Sequence, residues 1–175
     1  MTTTTLPDAE VFYAELVRQL RPHVTRDTAI VGIMTGGAWL AERLHRELGI
    51  QPALGVLDIA FYRDDFDQTG LSRNVKPSQI PFEVQARQVL LVDDVLYTGR
   101  TVRAAMNELF DYGRPARIEL AVLVDRGGRQ LPIAAKYCGA TLEVDPAQVL
   151  VLDRKETGTF SLSLSSSHRE RRPSS

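Results

Sequence analysis

The sequence has a single cysteine, Cys138, among 175 residues. An intramolecular disulfide and a multi-cysteine metal site are excluded, and a lone thiol is more often a small core residue than a nucleophile. An excess of charge is equally missing. Lys and Arg together number 21 against 22 Asp and Glu, giving a formal net charge of -1 and a pI of about 6.3. No global field marks a binder of nucleic acid or membrane, so any such contact must come from a local patch. No apolar run is long enough to span a bilayer. The N-terminus, Met1-Thr-Thr-Thr-Thr-Leu-Pro-Asp8, lacks the basic stretch, apolar run and small-residue cleavage site of a leader. These absences predict a cytoplasmic protein in a reducing compartment, with no membrane partner.

With 43% hydrophobic and 25% charged residues, the chain can bury one sizeable core. A single domain is expected over 1–160. The serine-rich, basic stretch 161–175 has little to bury and is expected to be a disordered tail.

Within the domain the apolar spacing alternates between two periods. Asp8 can cap a helix to about Leu20 that carries Phe12, Leu16 and Leu20 at helical spacing, with Pro22 as its end. A short buried strand is predicted over 28–33. Gly36-Gly37 break it before a helix with Leu40, Leu44 and Leu48 on one stripe and Gly49 as its stop. A second strand is predicted over 53–61. The polar stretch 62–87 follows, long enough to be a mobile functional loop or hairpin. Val89-Leu-Leu-Val92 reads as a third buried strand. The next helix places Val102, Ala105, Met106, Leu109 and Phe110 on one face and stops at Gly113 and Pro115. Strands over 118–124 and 149–152 complete the pattern. Strands alternating with amphipathic helices predict an α/β fold with a parallel sheet covered on both faces.

In such a sheet, ligands bind beyond the carboxyl ends of the strands. There the third strand carries Asp93-Asp94-Val-Leu-Tyr-Thr98-Gly99-Arg-Thr101. Gly99 permits positive φ, so successive N–H groups can converge on one anion at the start of the next helix. Thr98 and Thr101 add hydroxyl donors, and the two carboxylates can accept hydrogen bonds from the vicinal hydroxyls of a ribose. Singly, Asp93 reads as a helix cap and Asp94 as a solvated charge; together these groups point to a sugar phosphate. A P-loop is excluded because the glycine-containing turn between Gly32 and Trp39 has no lysine. A phospho-accepting signalling domain would need more chain after its aspartate pair than is left here.

The segment Val89-Leu-Leu-Val-Asp-Asp-Val-Leu-Tyr-Thr-Gly-Arg-Thr101 resembles the phosphoribosyl-pyrophosphate signature of type I phosphoribosyltransferases. Leu57-Asp-Ile-Ala-Phe-Tyr-Arg-Asp-Asp65, Gly113-Arg-Pro115, Leu120-Ala-Val-Leu-Val-Asp-Arg-Gly127 and Leu131-Pro-Ile133 are similar to the PyrR branch, pyrimidine operon regulators with uracil phosphoribosyltransferase activity. The similarity runs over about 30–152.

The resemblance implies a five-stranded parallel core with a small hood and a long flexible loop. It also implies Mg²⁺ and conversion of uracil and phosphoribosyl pyrophosphate into UMP and pyrophosphate. Asp93 and Asp94 would serve the ribose hydroxyls and the cationic ring, and Val95, Leu96, Tyr97, Thr98, Gly99, Arg100 and Thr101 the 5-phosphate. Thr35, Gly36 and Gly37 would approach pyrophosphate, although some relatives carry arginine where this chain has Gly36; on the residues alone the stretch also reads as a plain turn. Tyr62 and Arg63 would close over the leaving group. Val124, Arg126, Val149 and Leu150 are the base-side candidates, with an ion pair to Asp125 or Asp145 as the other reading of Arg126. No dedicated protein cage for Mg²⁺ is implied, since the metal arrives with substrate and meets Asp93 and Asp94 through water. A homodimer or higher assembly is expected. A UMP-sensing RNA-binding attenuator and an enzyme for another base are the alternatives. The attenuator is the less favoured because the first helix has one arginine, and Gly128 and Ala134 stand where such relatives carry histidine and arginine.

Overall fold

Five of the seven strands among the described residues form one parallel sheet in the order β2-β1-β3-β4-β5. They are β1 (Ala29–Ile33), β2 (Gly55–Leu57), β3 (Gln88–Leu96), β4 (Arg117–Asp125) and β5 (Tyr137–Thr141). This computed structural model describes residues 6–59 and 78–166. Helix α1 spans Ala9–Leu20, α2 Gly36–Glu47 and α3 Arg100–Phe110, while β6 (Gln148–Arg154) and β7 (Phe160–Ser166) pair as an antiparallel ribbon.

The sheet is buried on both faces, which explains its near-continuous apolar strands. Along each strand, alternate residues go to opposite sides. Ile30, Leu90, Val92, Ala121 and Leu123 meet α1 and α2 on one face. Val31, Val89, Leu91, Leu120 and Val122 meet α3 on the other. Helix α1 begins where expected, because the Asp8 carboxylate accepts the Glu10 N–H at 2.9 Å. Leu150, Leu152 and Phe160 of the ribbon join the core that contains α1 and α2. The ribbon is therefore a hood seated on the main body.

Four sequence expectations need correction. The strand expected over 149–152 belongs to this antiparallel hood, and the fifth parallel strand is β5. Its sequence, Tyr-Cys-Gly-Ala-Thr, has weak strand character. Gly139 is small because a Cβ there would lie 2.5 Å from the Phe12 carbonyl of α1. The tail expected from Ser161 instead starts as β7, whose Ser163 pairs with Val151 and Leu162 with Leu152. Serines on its open face hid that strand. The second strand shortens from 53–61 to Gly55–Leu57, and residues 60 and 61 lie outside the described part. Phe110 is exposed rather than packed. Residues 62–77 of the expected loop and 167–175 of the expected tail also lie outside the described residues. No helix among the described residues is long and apolar enough to cross a membrane.

Candidate active site

The chain leaves β1 toward α2 on one face of the sheet and leaves β3 toward α3 on the other. Since β1 and β3 are neighbours, their carboxyl ends diverge and open a crevice between them. A cleft of about 720 Å³ lies there, within the range of small-ligand sites. Thr35 and Gly36 line it from the first turn, residues 93–102 from the second, and residues 149–153 of the hood close it from above.

Strand β3 runs longer than its apolar core suggests. Asp93 pairs with Val122 and Val95 with Val124, so the acidic pair sits on a strand and not on the following turn. Asp93 is buried, and its Oδ1 accepts the Asp94 N–H at 2.9 Å. Asp94 is partly exposed and its Oδ1 accepts the Val95 N–H at 2.8 Å. The other oxygen, Oδ2, faces Gly36 so closely that any Cβ at that position would collide with it. A Cβ on Gly37 would likewise sit 2.5 Å from the Val92 carbonyl. The two glycines let the end of β1 press against the acidic pair.

The turn after β3 ends at Gly99, with φ of +91°, directly before the N-terminus of α3. The Thr98 hydroxyl oxygen accepts the Arg100 N–H at 3.2 Å. The remaining first-turn N–H groups have no acceptor within their own helix. The carbonyls of residues 96–98 are engaged by the segment 126–131. Leu96 O accepts from Arg126 N at 3.0 Å, and Thr98 O from Gln130 N and Leu131 N at 3.0 and 3.1 Å. Tyr97 O accepts from the Arg129 guanidinium at 2.7 Å. Arg129 also pairs with Asp125 at 2.5 Å. Burial pushes the Asp125 carboxyl up, but Arg129 and the Gly127 N–H outweigh it and leave the group below its ordinary value. With those carbonyls engaged, N–H groups dominate the inner side of the turn, which suits an anion.

Comparison with known proteins agrees with this layout. Residues 9–152 match the phosphoribosyl transferase domain family. The chain is 51% identical over 155 residues to the Bifunctional protein PyrR of Ralstonia nicotianae, covering 86% of this chain and 88% of that protein. It is 47% identical over 165 residues to the Bifunctional protein PyrR of Pseudomonas putida, covering 85% and 95%. The chain belongs to the PyrR family of phosphoribosyltransferases. Its fold is shared with solved phosphoribosyltransferases. A hypoxanthine-guanine phosphoribosyltransferase from Bacillus anthracis superposes with a TM-score of 0.63 at 17% identity, over 81% of this chain and 85% of that one. A purine phosphoribosyltransferase from Pyrococcus horikoshii gives 0.57 at 26% identity, over 85% and 93%.

In this PyrR-family chain most of the expected site residues meet in the one cleft. Asp93, Asp94, Val95, Leu96, Tyr97, Thr98, Gly99, Arg100 and Thr101 line it, as do Thr35, Gly36, Val149 and Leu150. Gly37 stands just behind, packed on β3. Two base-side candidates stand outside the lining. Val124 is fully buried between Val95 and Ala140 in the sheet. Arg126 is not among the lining residues; it stacks on Tyr97 and donates to backbone carbonyls of Gln148 and Asp145, so neither an Asp125 nor an Asp145 ion pair explains it. Tyr62 and Arg63 lie outside the described residues. Sequence reading missed Trp39, Val102, Val151, Leu152 and Asp153, which also line the cleft, and the support that Arg129, Gln130 and Leu131 give to the turn. A lone tryptophan in a helix and a loop of ordinary polar residues carry no signal of their own.

Proposed function

We propose that this cleft transfers the phosphoribosyl group of phosphoribosyl pyrophosphate to uracil, giving UMP and pyrophosphate, in a cytoplasmic homo-oligomer. The observation that carries the reading is the meeting of three parts around one cleft: the N–H-rich turn at Gly99, the Asp93–Asp94 pair against Gly36, and the hood strand. The turn suits the 5-phosphate and the carboxylates suit the ribose diol. The hood edge at Val149 and Val151 offers an apolar wall for a flat base.

In the reaction, the bond between C1 of the ribose and pyrophosphate breaks, and the bonding electron pair leaves with pyrophosphate. Uracil N1 forms the new bond to C1, and its proton passes to solvent water. Positive charge builds on the ring between these events, so a carboxylate held beside it stabilises the transition state more than the ground state. Asp94 is that carboxylate in this reading, and Asp93 steadies its backbone. Thr35 and Gly36 lie where pyrophosphate departs. Tyr62 and Arg63 retain the role of closing over it.

Two neighbouring carboxylates make an oxygen donor set that suits a hard cation through water and is too small for a cage. Asp93 and Asp94 would hold Mg²⁺ in that way, and the metal would neutralise charge on the departing pyrophosphate.

Control of RNA is the second activity named by the resemblance, and it needs a basic face. Arg129, a candidate for that face, is committed to Asp125 and the Tyr97 carbonyl, and the basic tail residues His168, Arg169, Arg171 and Arg172, more often solubilising than recognising, lie outside the described residues. The enzyme therefore ranks above the regulator. The deciding assay mixes the protein with phosphoribosyl pyrophosphate, Mg²⁺ and uracil, orotate, hypoxanthine or guanine in turn, and follows nucleotide formation by chromatography. UMP should dominate. Faster turnover of any other base overturns the assignment.

A further inference from the structure

Arg126 is the one buried cationic side chain among the described residues. Its guanidinium donates to the carbonyls of Gln148 at 2.9 Å and Asp145 at 3.1 Å. The same group lies 4.0 Å from the centre of the Tyr97 ring. Its own backbone N–H holds the Leu96 carbonyl at 3.0 Å. Its Nε is buried with no hydrogen-bond partner among the described residues. The nearby carboxylates serve other donors: Asp125 binds Arg129, and Asp145 accepts the Ala147 N–H.

A buried guanidinium held by carbonyl dipoles and an aromatic face is a costly way to fill space, since an apolar side chain would pack there without desolvating a charge. What distinguishes this position is what it joins. Tyr97 belongs to the turn on the phosphate side of the cleft. Gln148 opens β6, whose next residues, Val149 and Leu150, line the base side. No other described side chain is seen to bridge these two walls by both stacking and hydrogen bonds.

We propose that Arg126 is a positioning residue that sets the hood relative to the phosphate turn, so that occupation of the sugar-phosphate half of the cleft presents the hood to the base. It touches neither ligand and acts through Tyr97 and the 145–148 backbone. The inference rests on the reading of the cleft as a phosphoribosyl and base site.

The test compares UMP with ribose 5-phosphate by calorimetry on the full chain. Both fill the phosphate turn, and only UMP reaches the hood. In Arg126→Met, affinity for ribose 5-phosphate should change less than about threefold, while affinity for UMP falls about tenfold or more, as expected for lost charge-assisted hydrogen bonds behind one wall. Arg126→Lys keeps the cation and one carbonyl contact without the planar fork, and should lose UMP affinity to an intermediate degree. It also decides the matter if the methionine variant does not fold. A purely structural role predicts lower binding stoichiometry with both dissociation constants unchanged. That result, or equal losses for the two ligands, overturns the proposal. Failure of the unaltered protein to bind either ligand instead removes the reading of the cleft itself.

Discussion

Asp94 is the residue at which charge and geometry can be separated most cleanly. Its Oδ1 accepts the Val95 N–H at 2.8 Å, and its Oδ2 faces Gly36. In Asp94→Asn the amide oxygen can keep the bond to Val95, so the strand end stays in place and only the negative charge disappears. Turnover of uracil should fall about a hundredfold or more, as when a preorganised group facing developing charge is removed. The melting temperature should hold. Steady-state kinetics beside a thermal melt checks both, and near-normal turnover would strip Asp94 of its role. The chemistry around this residue was legible because Asp93, Asp94, Thr98, Gly99 and Thr101 are contiguous in sequence. The contacts of Arg126 were not legible, for the opposite reason. Its partners are backbone carbonyls about twenty residues away and an aromatic ring on another strand end, and neither leaves a mark in residue type. The glycine at 128 was legible only as a missing histidine. Its φ is +80°, and a Cβ there would strike the Tyr97 ring, so small size is what lets Tyr97 lie under Arg126.

Among the elements, one of the ties that hold the hood ribbon is an acidic side chain from α1. Glu10 accepts the Phe160 N–H at 2.7 Å and the Arg43 guanidinium at 2.9 Å. Arg43 in turn lies 3.9 Å from the Tyr13 ring centre, and Phe160 packs on Tyr13 at 5.8 Å. The hydrogen bond from Arg43 lowers the Glu10 carboxyl; partial burial opposes this, and the Phe160 N–H adds to it. A carboxyl whose folded value lies below its free value of 4.5 stabilises the protein above that pH and loses the effect as pH falls through the folded value. Glu10→Gln keeps an acceptor for Phe160 and removes the ion pair, so it should cost about 1 kcal/mol at neutral pH. The gap between the two proteins should close on acidification. Urea midpoints measured across the acid range test this, and a gap that persists after the carboxylate protonates would show that the ion pair is not its source. None of this was visible in the sequence. The helices and the central strands were, because their apolar spacing is strong. β5 and β7 were not, because glycine, alanine and serine carry weak strand signals while pairing partners outside the segment hold them in place.

Across the whole molecule, the cleft exists because of strand order, and strand order follows from pairings between distant segments. The sequence pattern of strand, turn and helix was sufficient to expect a parallel sheet, but not to place β1 beside β3 or to separate the hood from the sheet. The same order joins the walls of the site to the core. The face packed by α1 and α2 continues without a break into Leu150, Leu152 and Phe160 of the hood, while the opposite face is closed by α3. A ligand that spans the phosphate turn and the hood should therefore report on global unfolding. At a free concentration a hundred times its dissociation constant, a ligand that binds only the folded state adds about 2.7 kcal/mol. For a chain of this size that corresponds to a rise of about 5–10 °C in melting temperature. UMP should produce this rise within a single transition. Uracil at a matched concentration should shift the melt far less, because it lacks the sugar phosphate that fills the turn at Gly99. Differential scanning calorimetry distinguishes the outcomes. A separate early transition that UMP abolishes would mean that the hood unfolds on its own, and that the continuity of the core across Leu150 and Phe160 does not couple it to the sheet.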